Sequence, residues 1–182
     1  ASLRPRRLLR VFDWAGAVAG AVWTVRQCKH RLSDNPTLAL IKHLNRLDQV
    51  LARAEWEDPS IDEGLMLDQD GNVSCVTMSN LFVQSGDALR TPAIERAGVV
   101  GVVRRLALEL AGRNGFRVQE SSMPPDELHQ ADAVYLTNSL IGVVRVGRFE
   151  STSYDTSLSE HPLMEHTRRQ CHRPGAEARE YE

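Results

Sequence analysis

Lys42 is the residue of this sequence with the clearest capacity for covalent chemistry. The 182-residue chain has 22 basic residues, and only Lys29 and Lys42 among them are lysines. A guanidinium stays protonated and forms no Schiff base, whereas a lysine amine can lose its proton and condense with a carbonyl. A lysine in a chain where arginine supplies the positive charge is therefore a candidate nucleophile. The alternative is that a compositional bias toward arginine left these two lysines by chance.

Two other stretches could hold a ligand beside such an amine. Residues 97–104 (AGVVGVVR) form a glycine-bracketed loop that leads into a predicted helix, so the amides of Val102 and Val103 could bind an anion. Residues 137–139 (TNS) are small and polar, and they interrupt two apolar runs. Each stretch also has a purely structural interpretation, as a tight turn or as strand-end hydrogen bonding. Together, a lysine, an anion site and a hydroxyl cluster are what a phosphorylated aldehyde cofactor held as a Schiff base requires.

Composition excludes several other classes of protein. The net charge is -2 and aromatic residues make up 5% of the chain, so neither a basic footprint nor a base-stacking surface for nucleic acid is predicted. Cys28, Cys75 and Cys171 are far apart, which argues against a metal site or a disulfide framework and favours a reducing compartment. No apolar run is long enough to cross a membrane and no signal peptide is evident, so we expect a cytoplasmic protein.

The hydrophobic pattern predicts alternating strands and helices around these residues. Apolar residues at helical spacing, beginning at Leu44, predict an amphipathic helix that ends near Trp56. Lys42 would then lie just ahead of a helix N-terminus, where the dipole favours the neutral amine. The other predicted strands are 23–28, 64–67, 73–83, 88–90, 116–120, 133–137 and 143–149, and the other predicted helices are 101–114, 124–130 and 163–170.

Five motifs follow one another in an order that is typical of one enzyme group. They are residues 42–47 (KHLNRL), 67–73 (LDQDGNV), 79–82 (SNLF), 97–104 (AGVVGVVR) and 131–140 (ADAVYLTNSL). This series resembles the fold-type IV pyridoxal-phosphate enzymes, which include branched-chain aminotransferases, D-amino acid aminotransferases and aminodeoxychorismate lyases. The first and last motifs look most like the lyases. The resemblance implies a mixed α/β fold, the D-amino acid aminotransferase-like large domain, with helices packed on a curved mixed sheet.

The resemblance also implies roles for individual residues, with pyridoxal 5'-phosphate as the cofactor. Lys42 matches the Schiff-base lysine, which also moves protons at the substrate carbon. Val102 and Val103 match the backbone amides that bind the cofactor phosphate, Ser139 a hydroxyl contact to that phosphate, and Asn138 an amide that lines the site. The implied reaction converts 4-amino-4-deoxychorismate to 4-aminobenzoate and pyruvate for folate synthesis, in a homodimer that acts on a small molecule.

Three departures from the family pattern bear on activity. Cys75 stands where the family usually has a glutamate against the pyridine nitrogen, and a neutral thiol keeps that nitrogen protonated far less well than a carboxylate does. Arg145 stands where the family usually has proline. The family's N-terminal domain is largely absent, so we expect residues 1–36 to be a remnant of it, 37–150 to be the cofactor-binding domain and 151–182 to be a C-terminal helix and polar tail. The alternatives are an aminotransferase acting on D- or branched-chain amino acids, and a non-catalytic fragment of the family.

Overall fold

The computed structural model describes residues 9–11, 13 and 20–171 of the chain. Nine strands and four helices lie in this part of the sequence. They are β1 (Val22–Gln27), α1 (Leu47–Arg53), β2 (Glu63–Leu67), β3 (Val73–Val76), β4 (Asn80–Ser85), β5 (Ala88–Pro92), α2 (Val102–Asn114), β6 (Val118–Ser121), α3 (Asp126–His129), β7 (Ala133–Asn138), β8 (Gly142–Phe149), β9 (Thr152–Ser153) and α4 (Pro162–Cys171).

The described strands form one mixed sheet in the order β3-β2-β1-β8-β7-β4-β5-β6, with β9 paired to β8. The β1–β2, β1–β8 and β5–β6 pairs are parallel, and the remaining pairs are antiparallel. β1 comes from the segment 1–36 and is nevertheless a central strand, flanked on both sides. This part of the N-terminal segment is therefore built into the same sheet as residues 37–150.

The sheet is curved, because strands that are far apart in its order share one apolar core. Val73 and Val76 of the edge strand β3 belong to the same buried cluster as Leu81 and Val83 of β4. On the other face, α2 and α4 pack over β4, β7 and β8 and bury a second cluster around Tyr135. This arrangement confirms the predicted mixed α/β class with a curved sheet and packed helices.

The predicted strand 73–83 is wrong as a single element. β3 ends at Val76 and β4 begins at Asn80, and the amide of Val76 donates to the carbonyl of Ser79 (2.9 Å) to close a turn between them. The buried Glu63 carboxylate accepts hydrogen bonds from the Thr77 hydroxyl and the Met78 amide, so these groups face a carboxylate instead of a neighbouring strand. A continuous β-rich pattern cannot reveal such a break, because the partner lies on another strand.

The amphipathic pattern after Lys42 predicts that the apolar side of the helix packs against the protein, and this prediction is also wrong. α1 begins only at Leu47, Leu44 is fully exposed, and Leu47 is 62% exposed. The side of α1 that faces the protein carries Ala52 and Asp48, and the Asp48 carboxylate is bonded to the His30 ring. Lys42 therefore does not lie just ahead of a helix N-terminus as predicted, because α1 starts five residues after it.

None of the helices in the described residues is long and apolar enough to cross a membrane. The longest of them, α2, ends at Asn114, and the next residue, Gly115, adopts a left-handed conformation with φ +73°. This confirms the predicted stop, since glycine enters that region without a Cβ penalty.

Candidate active site

A cavity of about 760 Å³ lies where five segments of the chain meet. Its walls come from the start of β1, from Lys42 and α1, from the end of β3 with the following turn, from the loop that enters α2, and from the β7–β8 turn. The volume is within the range of about 300–1,000 Å³ that is usual for small-molecule sites. Five of the six residues predicted for the site line this one cavity, namely Lys42, Cys75, Val102, Asn138 and Ser139.

A short backbone pairing brings Lys42 to the start of α2. Leu40 forms an isolated parallel bridge with Val99. Its amide donates to the carbonyl of Gly98 (3.0 Å), and its carbonyl accepts from the amide of Val100 (3.4 Å). Leu40 has φ +73°, an uncommon conformation for a residue with a side chain, which such pairing helps to maintain. Lys42 therefore lies, exposed, on the wall of the same cavity as the glycine-bracketed loop.

The N-terminus of α2 opens on this cavity. Gly101 is the N-cap residue, and its amide donates to Oδ1 of Asn80 (3.0 Å), while Nδ2 of Asn80 donates to the carbonyl of Val99 (2.8 Å). The first amides of a helix have no partner within the helix, so they can bind an anion. The Val102 side chain is 64% exposed and lines the cavity, whereas the Val103 side chain is buried under α2. Only the backbone of Val103 could therefore act in the predicted role.

The two polar residues of the β7–β8 turn differ in how far the protein already uses them. Nδ2 of Asn138 donates to Oγ of Ser79 (3.0 Å), and its Oδ1 accepts the amides of Leu140 (2.8 Å) and Ile141 (2.9 Å). The Asn138 side chain thus connects the β7–β8 turn to the turn between β3 and β4. Ser139 is exposed on the cavity wall, where its hydroxyl could reach a ligand.

The cavity is electropositive. Its charged lining residues, within the described part of the chain, are Lys42 and Arg46, and no carboxylate joins them. Burial raises the pKa of the Cys75 thiol to about 12, although the nearby Arg46 guanidinium acts in the opposite direction. Cys75 is therefore a neutral thiol at physiological pH, and the site favours an anionic ligand.

Arg145, the other departure, does not line the cavity. It is buried and donates to the carbonyls of Leu158 (2.6 Å) and Asp155 (2.9 Å), so it secures the loop after β9. Neighbouring residues on a strand point to opposite faces, and it is Val144 that reaches the cavity.

Sequence reasoning assigned no role to three polar residues that shape the site. Arg46 and Asn80 were part of the recognised motifs, and Thr77 lay inside a strand pattern that hid the turn. The signal for Asn80 was a polar residue at the start of an apolar run. Arg46 had no comparable signal, because residues 42–46 are not helical and helical spacing does not place its side chain beside Lys42.

Comparisons with known proteins agree with this geometry. A family model described as Amino-transferase class IV matches residues 9–149. The aminodeoxychorismate lyase of Vibrio harveyi is 39% identical over 119 residues, which are 65% of this chain and 44% of that protein. The branched-chain-amino-acid aminotransferase-like protein 2 of Arabidopsis thaliana is 31% identical over 130 residues, which are 71% of this chain and 22% of that protein.

A solved structure extends the likeness to three dimensions. The crystal structure of 4-amino-4-deoxychorismate lyase from Pseudomonas aeruginosa matches with a TM-score of 0.74 and 38% identity, over 82% of this chain and 54% of that one. The chain thus spans about half the length of the lyases that it matches. The matched residues include Lys42 and every segment around the cavity, and the chain belongs to the class IV aminotransferase family.

Proposed function

We propose that this chain carries the pyridoxal-phosphate site of an aminodeoxychorismate lyase, which converts 4-amino-4-deoxychorismate to 4-aminobenzoate and pyruvate. The observation that carries the proposal is that the exposed Lys42 and the N-terminus of α2 line the same cavity. Members of this family are pyridoxal-phosphate enzymes. The 39% and 38% identities to two lyases support the lyase branch.

The residues around the cavity suit this cofactor in three respects and depart in one. A lysine amine, free helix amides and the exposed Ser139 hydroxyl match an aldehyde that carries a phosphate. Cys75 departs, because a buried neutral thiol cannot stabilise a protonated pyridine nitrogen as a carboxylate would. We therefore expect cofactor binding with reduced turnover.

The chain's own groups would divide the work as follows. When bound, pyridoxal phosphate supplies an aldehyde that condenses with amines and a ring that accepts electrons. The amides of Val102 and Val103, with the Ser139 hydroxyl, would hold the phosphate at the positive end of α2. Lys42 would hold the cofactor and then move the proton at the substrate carbon beside the amine. Arg46 would attract the substrate carboxylates, since among the described residues it is the second cation on the cavity wall.

The two lysines provide a matched test of the covalent step. Purified protein mixed with pyridoxal phosphate should become yellow, and borohydride should fix one adduct on Lys42. Lys42→Ala should abolish the adduct. Lys29→Ala should leave it unchanged, since Lys29 is exposed and does not line the cavity. Labelling of Lys29 in the wild-type protein, or no adduct at all, would reject the proposed site.

The reaction assay separates the lyase from an aminotransferase and from a non-catalytic fragment. The second candidate is an aminotransferase for D- or branched-chain amino acids, which the 31% identity to the Arabidopsis protein favours. The lyase should release pyruvate and 4-aminobenzoate from aminodeoxychorismate and form no keto acid from amino acids. The opposite products would support the aminotransferase, and an adduct without either activity would support the fragment.

The surroundings of the cavity favour association with another protein surface. Large apolar side chains there are at least 46% exposed, namely those of Leu44, Leu47, Val50, Leu51, Met78, Val102 and Leu140. Such a surface is costly to leave in water, and we propose that it is covered in a homodimer. We also propose that the enzyme acts in the cytoplasm, where its product would serve folate synthesis. Sedimentation analysis of the purified chain should give the mass of a dimer, and a monomer at micromolar concentration would contradict the homodimer.

A further inference from the structure

Glu63 is a fully buried carboxylate behind the cavity wall. It is the first residue of β2, and its side chain has no exposed surface. Within the described chain, no cation lies within ion-pair distance of it. Burying a charge without a counter-ion is costly unless hydrogen bonds replace the lost water. Burial accordingly raises the pKa of the Glu63 carboxyl, while hydrogen bonds from the protein act in the opposite direction.

The donors that replace the water come from the β3–β4 turn and from the start of β2. Oε1 accepts the Thr77 hydroxyl and the Gly64 amide (3.0 Å). Oε2 accepts the Met78 amide (3.1 Å). Both oxygens are therefore used, and two of the three donors belong to a turn that lines the cavity.

The β3–β4 turn is also hydrogen-bonded to the β7–β8 turn. Asn138 donates through Nδ2 to Oγ of Ser79 (3.0 Å) and to the carbonyl of Met78 (3.4 Å). The same Asn138 accepts the amides of Leu140 and Ile141 through Oδ1. A continuous chain of hydrogen bonds thus leads from Glu63, through residues 77–79, to residues 138–141.

We propose that Glu63 is a positioning residue that holds the β3–β4 turn and the β7–β8 turn in their relative places around the cofactor cavity. The carboxylate does not touch the cavity and acts through Thr77 and Met78. This inference deepens the proposed function, because the Ser139 hydroxyl, on the second turn, is one of the groups assigned to the cofactor phosphate.

Glu63→Gln is the sharpest perturbation, because it keeps the shape and changes one acceptor oxygen to a donor. An amide whose oxygen faces Thr77 and Gly64 turns its NH₂ toward the Met78 amide, so two donors face each other. Thr77→Val removes the hydroxyl donor without changing the shape, whereas Thr77→Ser retains it. Tyr154→Phe is the control, since it removes a different buried hydrogen bond, to the carbonyl of Leu128 (2.7 Å), in the apolar core.

Amide hydrogen exchange on the full chain without cofactor reads the positioning directly. In Glu63→Gln we expect exchange to accelerate about tenfold at Met78 and several-fold at Leu140 and Ile141, because local opening controls exchange at these amides. Thr77→Val should do the same, and Thr77→Ser should retain wild-type exchange at residues 138–141. Acceleration confined to Met78, or spread evenly over the protein as in Tyr154→Phe, would overturn the proposal.

Cofactor affinity provides the second reading. Glu63→Gln should weaken pyridoxal-phosphate binding about tenfold, equivalent to about 1.4 kcal/mol, and Tyr154→Phe should leave it within twofold of wild type. Wild-type affinity in Glu63→Gln would also overturn the proposal. If the wild-type protein forms no adduct on Lys42, the proposed function fails, and the exchange pattern still decides the role of Glu63.

Discussion

Gly101→Ala should damage both stability and cofactor binding through a single contact. Gly101 has φ -68° and ψ 146°, a conformation open to any residue, so a substitution there meets no backbone strain. A Cβ at this position would nevertheless lie 2.3 Å from Oδ1 of Asn80. Asn80 is 6% exposed and is held by hydrogen bonds to Gly101 and Val99, so it has little freedom to withdraw.

The expected cost follows from the bonds that must break. Relief of the contact requires a shift of at least about 0.7 Å, given that real Cβ contacts below 3.0 Å are essentially absent. Such a shift disrupts both hydrogen bonds of Asn80, each worth about 1 kcal/mol, so we expect this contact to cost about 2 kcal/mol in addition to the smaller N-cap preference for glycine. At about 2–4 °C per kcal/mol for a domain of this size, this contact alone should lower the melting temperature by about 4–8 °C.

Gly112→Ala is the matched control on the same helix. A Cβ at Gly112 meets no atom within 4 Å, and alanine is favoured over glycine inside a helix by about 0.5–1 kcal/mol. Gly112→Ala should therefore raise the melting temperature and leave cofactor affinity unchanged. Gly101→Ala should lower the melting temperature and weaken pyridoxal-phosphate binding about tenfold, equivalent to about 1.4 kcal/mol, because the helix start that offers its amides is displaced.

A double-mutant cycle isolates the contact with Asn80. In an Asn80→Ala background the clash is gone, and Gly101→Ala should cost only the N-cap preference for glycine, about 0.5–1 kcal/mol. An undiminished cost in that background would refute the reasoning. So would a Gly101→Ala protein that is as stable as the Gly112→Ala protein.

Two further perturbations test the electrostatics. Cys75→Glu should raise turnover and strengthen the visible absorbance of the cofactor-loaded protein, because a carboxylate at position 75 would keep the ring nitrogen protonated. Cys75→Ser is the control, and an unchanged spectrum in Cys75→Glu would show that position 75 does not face that nitrogen. Burial raises the pKa of Asp48, but hydrogen bonds from His30 and Ser33 outweigh burial and lower the pKa below its usual value. The ionised Asp48 therefore stabilises the folded protein above about pH 4, and this stabilisation is lost as the pH falls through the lowered pKa. Asp48→Asn should therefore cost about 1–2 kcal/mol at pH 7 and lose less stability than wild type between pH 5 and pH 3 in urea titrations; equal acid sensitivity would contradict this role.

Local sequence signals determined the elements whose causes are local. Helix α2 was predicted to within one residue at its start and stops at Gly115 as expected, because its apolar spacing and its left-handed glycine are properties of the segment itself. The strands around Leu65, Tyr135 and Val146 were also found, since each is an apolar run bounded by turn residues. The motif series around Lys42 was enough to predict the family, which the match over residues 9–149 confirms.

Tertiary structure alone decided how these elements meet. The break in the predicted strand 73–83 depends on Glu63, a residue from another strand. The outward direction of Leu47 depends on His30 and Ser33, which bind Asp48 on the opposite side of α1. The approach of Lys42 to α2 rests on the pairing of Leu40 with Val99. Each of these contacts joins residues that are distant in the chain, and its free energy comes from burial and hydrogen bonds that no local pattern encodes.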